Sequence, residues 1–258
     1  MKLANLLTGA EIRVHLSAGA LIACEIKRSW GTGAVVRKAS FEFETGERAA
    51  AMKALALWID GAAARRSIFW IVGPTDAQYF MLPWSPAWLD RSLRDSYARA
   101  HFEELFEGDA SKSTFCFAHP SSDSGQLVSV ISKALHAELV AHANDACCEL
   151  GGIKPSIPAV WDQFRDVLET EDGTLCVVDG DRQAIVHHHK EHIKNIVVKP
   201  CSTADVLPAP RQGVSRVFTN TMARGPSVKS TASLKLPTQR GYVDAQDTVY
   251  SFALCGAL

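Results

Sequence analysis

The residues of this chain predict an α/β fold built as two lobes, each led by a strand hairpin. Three observations carry that expectation. Apolar residues recur first with the period of a strand, then with that of a helix, then with a strand's again. Two stretches, starting at Glu11 and at Thr174, each read strand, tight turn, strand, strand. A length of 258 residues suits one α/β domain or two small lobes, and a composition 47% hydrophobic and 21% charged is that of folded soluble proteins and excludes disordered or collagen-like chains.

Residues 11–16 and 20–28 form strands around Ser17-Ala18-Gly19, a small Gly-bearing turn suited to a hairpin. Residues 34–44 alternate through Val36, Lys38, Phe41, Glu42 and Phe43 as a half-buried third strand. From 47 to 64, Ala51, Leu55, Trp58, Ile59 and Ala62 recur at helical spacing, so this stretch is an amphipathic helix ending near Gly61. The apolar run 67–72 lies between Arg66 and Gly73-Pro74 and reads as a buried strand. A short strand at 78–82 follows. Pro83-Trp84-Ser85-Pro86 then stops the chain and restarts it as a helix over 87–106, because proline fits the first helical turn. Its expected contacts are Trp88, Leu93, Tyr97, Phe102, Leu105 and Phe106.

A strand at 114–118 precedes a long helix at 124–150, with Leu127, Val130, Ile131, Leu135, Leu139 and Ala143 on one face and Gly151-Gly152 as its stop. Pro158 opens a helical turn or two over 160–168. Strands at 174–179 and 182–188 then flank Gly180-Asp181, a hairpin signal, and 194–199 is a third strand. The Ser-, Thr-, Pro- and Gly-rich stretch 202–240 is a loop-rich, locally basic segment, and 248–254 is a last buried strand. A first lobe would occupy 1–170, and a second, partly reduced one 171–258.

Net charge is −1, from 27 basic and 28 acidic side chains, so no global electrostatic grip on nucleic acid is expected. No apolar run approaches the about 20 residues of a spanning helix. The N-terminal apolar run is shorter than the core of about 7 to 15 residues that an export signal needs. Seven irregularly spaced cysteines, without a CxxC pair, fit reduced buried thiols better than a disulfide framework. A cytoplasmic chain is the expectation.

Three strands, a helix, a strand, helices and a second hairpin is the order in which each half of the actin-like ATPase fold is built. The words 68–72, 78–82 and Pro83-Trp84 lead into a charged helix. Gly151-Gly152-Ile153-Lys154-Pro155 leads into 159–164, and the chain closes on Phe252-Ala253-Leu254-Cys255-Gly256. With these the chain resembles degenerate actin-like proteins of proteobacteria, similar to the cytoplasmic actin-like components of type IV pilus and type II secretion inner-membrane platforms. The resemblance spans about residues 10 to 200 and the last ten. It implies an actin-like, ribonuclease H-like α/β fold with a loop-rich C-terminal segment. It also implies ATP with Mg²⁺, for members whose hairpin turns carry an acidic residue and glycines, since backbone amides hold phosphates and a carboxylate positions the hydrated ion. In this chain the first turn, with Ser17 and Gly19, has no Asp. The second offers Asp179, Gly180 and Asp181 but lacks the Gly and Thr pattern that should follow.

The run from His187 to His192 offers metal ligands. His187 and His189 share one face if it is a strand, and His188 and His192 lie one turn apart if it is a helix; an exposed polar hairpin end is the plainer reading. Cys147-Cys148 sits beside Asp145 and Glu149, which disfavour a thiolate. Trp84, Trp88, Arg211, Arg216 and Arg224 are candidates for contact with a partner, aromatic residues being common interface anchors. The expectation is therefore a non-enzymatic assembly protein with no cofactor, no nucleic acid and no membrane span of its own. It would bind a protein partner, such as the cytoplasmic segment of an inner-membrane protein, at the periphery of that membrane, with a homodimer as an option. One rival is an ATP/Mg-binding ATPase; the other is a metal-binding module at His187–His192. On the scaffold reading, Asp179→Ala should leave stability nearly unchanged.

Overall fold

The computed structural model describes residues 9–29, 32–44, 47–61, 66–118, 125–201, 214–220 and 231–257. In chain order the strands are β1 (Ala10–Leu16), β2 (Ala20–Ser29), β3 (Thr32–Glu42), β4 (Arg66–Val72), β5 (Ala77–Leu82), β6 (Ser113–Phe117), β7 (Gln126–Ser132), β8 (Glu149–Pro155), β9 (Gly173–Asp179), β10 (Arg182–His189), β11 (His192–Pro200), β12 (Val214–Thr219) and β13 (Thr231–Ser233). The helices are α1 (Arg48–Asp60), α2 (Arg91–Phe106), α3 (Lys133–Asp145), α4 (Ser156–Gln163), α5 (Arg165–Leu168), α6 (Asp244–Asp247) and α7 (Ser251–Leu254).

Two sheets share one plan. The first runs β3-β2-β1-β4-β8 and the second β11-β10-β9-β12-β13. In each, the opening strand pairs antiparallel with the next and parallel with the fourth, β1 with β2 and β4, β9 with β10 and β12. The two strand-hairpin-led blocks are thus a structural repeat. A third sheet, β5-β7-β6, carries its own apolar cluster, in which Phe80, Leu82, Val128 and Val130 meet Ala98 and Phe102 of α2. The main core joins β1, β4, α1, α3, α4, β9, β10 and α7.

The long helix expected at 124–150 is replaced by strand, helix and strand. Residues 126–132 are β7, α3 begins at Lys133, and β8 begins at Glu149. Leu127, Val128, Val130 and Ile131 are buried on both faces between β5 and β6, so their spacing carries no period. Ser132 caps α3 by accepting from the Leu135 amide. Gly151 and Gly152 end no helix, since both lie in β8. The Phe69 ring occupies the space where a Gly151 side chain would stand, 2.3 Å from an ideal Cβ. The helix expected over 87–106 breaks at Asp90, whose carboxylate accepts from the Ser92 and Leu93 amides and starts α2. Of its expected contacts, Phe102 is buried, whereas Leu93, Tyr97 and Leu105 are exposed.

The strand expected at 248–254 is helical. Both edges of β1 are taken by β2 and β4, so the apolar residues Phe252, Ala253 and Leu254 bury as the short α7 instead of extending the sheet. Within 202–240 the structure has β12 and β13, while 202–213 and 221–230 lie outside the described residues.

The cysteines are free thiols, and burial separates them. It pushes Cys24 up to about 12 and Cys176 to about 11, and it raises Cys255 as well. A thiol reagent on the native protein should label exposed Cys116 and Cys147 first. Cys24, Cys176 and Cys255 should stay unlabelled until denaturant is added, as mass spectrometry of time points would show.

Candidate functional site

The tips of the two hairpins meet. Ser17 follows β1 and Asp179 ends β9, and the Ser17 hydroxyl donates to Asp179 Oδ1 at 2.8 Å. His15 of β1 places Nε2 2.8 Å from Asp179 Oδ2. Asn220, just past β12, donates from Nδ2 to Oδ1 at 3.3 Å. Asp179 is 1% exposed. Gly73, just past β4, completes the junction: its amide donates to Leu16 O, and an ideal Cβ there would sit 2.6 Å from Asp179 Oδ2. Gly73 and Asn220 occupy equivalent positions, each after the strand parallel to its block's first. The repeat therefore brings four matching chain ends to one point.

The predicted turn residues divide between the inside and the rim of this junction. Ser17 is buried, and Gly180 turns the chain with φ of +57°, a conformation that glycine adopts without strain. An ideal Cβ on Gly180 would lie 3.3 Å from Ser17 Oγ and from Ala18 Cβ, so the second turn rests against the first. Gly19 and Asp181 are exposed; Asp181 accepts from the Thr75 hydroxyl at 3.3 Å. These residues do not fit Mg·ATP as they stand. Both oxygens of Asp179 are already engaged by protein groups, and the two turns touch where phosphates would have to lie between them. Sequence reasoning missed His15, Gly73 and Asn220. A signal for His15 was present, as a polar residue inside the apolar word Val14-His15-Leu16.

A groove of about 450 Å³ shares no lining residue with this junction. Cys116, Leu127 and Ser129 of β6 and β7 form one side. Pro155, Pro158 and Trp161, at the start of α4 and within it, form another, and Ile193 of β11 lies at an end. The rim carries Lys154, Asp162, Arg165, Glu169 and Glu191. Burial would raise the Asp162 carboxyl, but the bonds and charges of Lys154 and Arg165 outweigh it and hold the carboxyl low.

The histidine run is a strand end and turn. His187 Nδ1 lies 3.1 Å from the Thr174 hydroxyl, His189 pairs with Asp172, and His192 lies near Glu191. A register shift between His187 and His188 breaks the alternation assumed for a metal pair. Among the described residues no three His, Cys, Asp or Glu side chains gather as a metal site. His188 is buried edge-on against Trp161, and His142 is buried with Nε2 3.0 Å from Met52 O.

Burial lowers both His142 and His188 from the usual 6.5. The unfolded chain then binds more protons than the folded one below about 6.5, so their contribution to stability is present above that pH and is lost as pH falls. Denaturant midpoints should therefore drop between pH 7 and pH 5, and the His142→Gln and His188→Gln variants should flatten that dependence.

Trp84 is half-exposed, and Trp88 is half-buried against the third sheet's cluster. Arg216 is no part of a solvated tail. It lies in β12, buried, and pairs with Glu171, because β12 is flanked by β9 and β13. Arg211 and Arg224 lie outside the described residues. Among the described residues no helix is long and apolar enough to cross a membrane.

No family model matches the chain, and no curated protein sequence does. Solved structures do. The cytoplasmic domain of EpsL, an inner membrane component of the type II secretion system of Vibrio cholerae, superposes with a TM-score of 0.58 at 11% identity, over 95% of this chain and 94% of that one. A PilM–PilN type IV pilus biogenesis complex gives 0.56 at 16% identity, over 73% of this chain and 60% of that one. A Bacteroides thetaiotaomicron protein with an actin-like ATPase fold gives 0.54 at 10%, over 79% and 75%. The paired sheets, the hairpin junction and these similarities agree: the chain has the actin-like ATPase fold, in a form similar to components of secretion and pilus assemblies.

Proposed function

We propose that this chain is a non-enzymatic assembly protein, a degenerate actin-like scaffold that holds a segment of a partner protein at the inner face of a membrane. One observation carries the reading. The carboxylate that an ATPase of this fold would turn toward a metal ion is buried and bonded to His15, Ser17 and Asn220. Energy spent on locking that junction supports a fixed scaffold rather than a nucleotide cleft. The partner segment would lie in the groove beside β6, whose volume falls within the about 300–1,000 Å³ of ligand pockets and whose charged rim can orient a peptide. That EpsL is a component of a secretion system and that PilM is solved with PilN support a protein partner.

The test is titration calorimetry with Mg·ATP, paired with melting temperature. No heat and no shift at millimolar nucleotide are expected; binding with a raised melting temperature would overturn the scaffold reading. For the groove, Cys116→Trp, a change at an exposed position of its lining, should abolish co-purification of the partner from native membranes while leaving the melting temperature within a few degrees.

A further inference from the structure

Strand β6 is an outer strand of the third sheet and pairs with β7 alone. The Ala118 amide donates to Leu127 O, and the same ladder continues through the pairs Cys116–Ser129 and Thr114–Ile131. Backbone bonds alternate along an antiparallel strand, so Thr114, Cys116 and Ala118 face β7, and the N–H and C=O of Phe115 and Phe117 turn outward. The groove reaches this edge. Cys116, Phe117 and Ala118 all line it, although successive side chains of a strand point to opposite faces.

The other outer strands carry the devices that keep a sheet edge from pairing, which are charges, proline, shifts of register and short length. β3 holds Arg37 and Lys38 and shifts its register against β2. β8 shifts against β4 and ends in Lys154-Pro155. β11 holds Lys194 and Lys199 and shifts against β10, and β13 has three residues. β5 lies against β11. β6 reads Ser-Thr-Phe-Cys-Phe, with no charge, no proline and no shift against β7.

We infer that β6 takes an extended segment of the partner protein as an added strand, bonded to the backbone of Phe115 and Phe117. The inference rests on the reading that the groove holds a partner. In this mode main-chain bonds give affinity and alternate side chains give specificity. On one face those side chains enter the groove, where Leu127, Pro155 and Trp161 suit apolar residues. On the other they meet the rings of Phe115 and Phe117. The Arg99 guanidinium stands 4.9 Å from the first ring's centroid and that of Arg94 stands 4.3 Å from the second. The buried Arg94 Nε has no hydrogen-bond acceptor. Acidic residues suit that face, so the occupant alternates apolar and acidic side chains. The β6 of a second copy fits worse, because it brings no acid to Arg94.

Amide hydrogen exchange of the full chain tests it, with a capped peptide of four Val-Glu repeats as the probe. In the free chain the Phe115 and Phe117 amides should exchange faster than those of Thr114 and Cys116, and saturating peptide should slow them about tenfold. The matching Val-Lys peptide should bind about tenfold more weakly, since it sets like charges beside Arg94 and Arg99. Phe117→Pro removes an outward N–H and leaves the β7 ladder whole, so it should weaken binding about tenfold more than Phe117→Leu does, at a similar melting temperature. No protection at Phe115 and Phe117, equal binding of the two peptides, or equal effects of the two substitutions would overturn the proposal. So would a dimer of the free chain that Phe117→Pro abolishes, because a second copy would then occupy the edge. If Cys116→Trp loses the native partner while Phe117→Pro keeps it, the groove reading stands and strand addition falls; if Cys116→Trp keeps it, the groove reading itself fails.

Discussion

Phe252→Ala is expected to lower stability by about 4 kcal/mol, the largest single-residue loss foreseen in this chain. Phe252 lies in a four-residue helix that on its own would not form. Its ring is fully buried, stacked 4.8 Å from His15 of β1 and edge-on 4.9 Å from Phe218 of β12. Phe218 in turn meets Phe164 beside α4. One side chain thus ties the two repeated sheets and a helix together. The backbone around it is clamped: Arg13 donates to Ala253 O at 2.7 Å and to Cys255 O at 2.5 Å, Arg28 donates to Ala257 O, and the Gly256 amide donates to the Gln163 side chain. Truncation to alanine leaves a cavity whose walls are strands that cannot collapse. Guanidinium unfolding would measure the loss. A cost under about 1 kcal/mol would mean that the last turn is not docked and that the sheets hold each other without it.

The repeat was legible in the sequence because both of its signals are local. Ser17-Ala18-Gly19 and Gly180-Asp181 are turn words, and the strands around them keep a period. Sequence reading failed where burial is complete on all sides. Residues 126–131 and 251–254 are buried on every side, and a stretch buried all round shows no period that distinguishes strand from helix. In both, tertiary context decides: β7 has two free neighbours to pair with, while α7 finds β1 already paired on both edges. The candidate site was half legible. Ser17 and Asp179 stand in turns and were found as turn residues. Their contact spans 162 positions, so no spacing could state it. Asn220 follows from the topology alone, whereas His15 shows in the sequence only as a polar residue inside an apolar word. Arg216 failed for the opposite reason, since its neighbours in sequence read as a tail while its neighbours in space are two strands.

Asp179→Ala is expected to cost about 3 kcal/mol, contrary to the near-neutral effect anticipated from sequence. The carboxylate accepts from Ser17 and Asn220 and stands against His15, all out of water. Removing it strands three polar groups at once. Asp179→Asn should cost less, because its shape is kept and one oxygen still accepts. The sign separates two roles. An acidic residue held ready for a metal ion has few partners in the empty protein, so its loss would leave stability unchanged or raise it while abolishing nucleotide binding. A structural carboxylate behaves in the opposite way, and its loss should change no nucleotide titration. A double-mutant cycle of Asp179→Ala with Ser17→Ala should show a coupling of about 1–2 kcal/mol, as residues sharing one hydrogen-bond network do. Additive effects would mean that the two hairpins touch without depending on each other, and the locked-junction account of this fold would then fail.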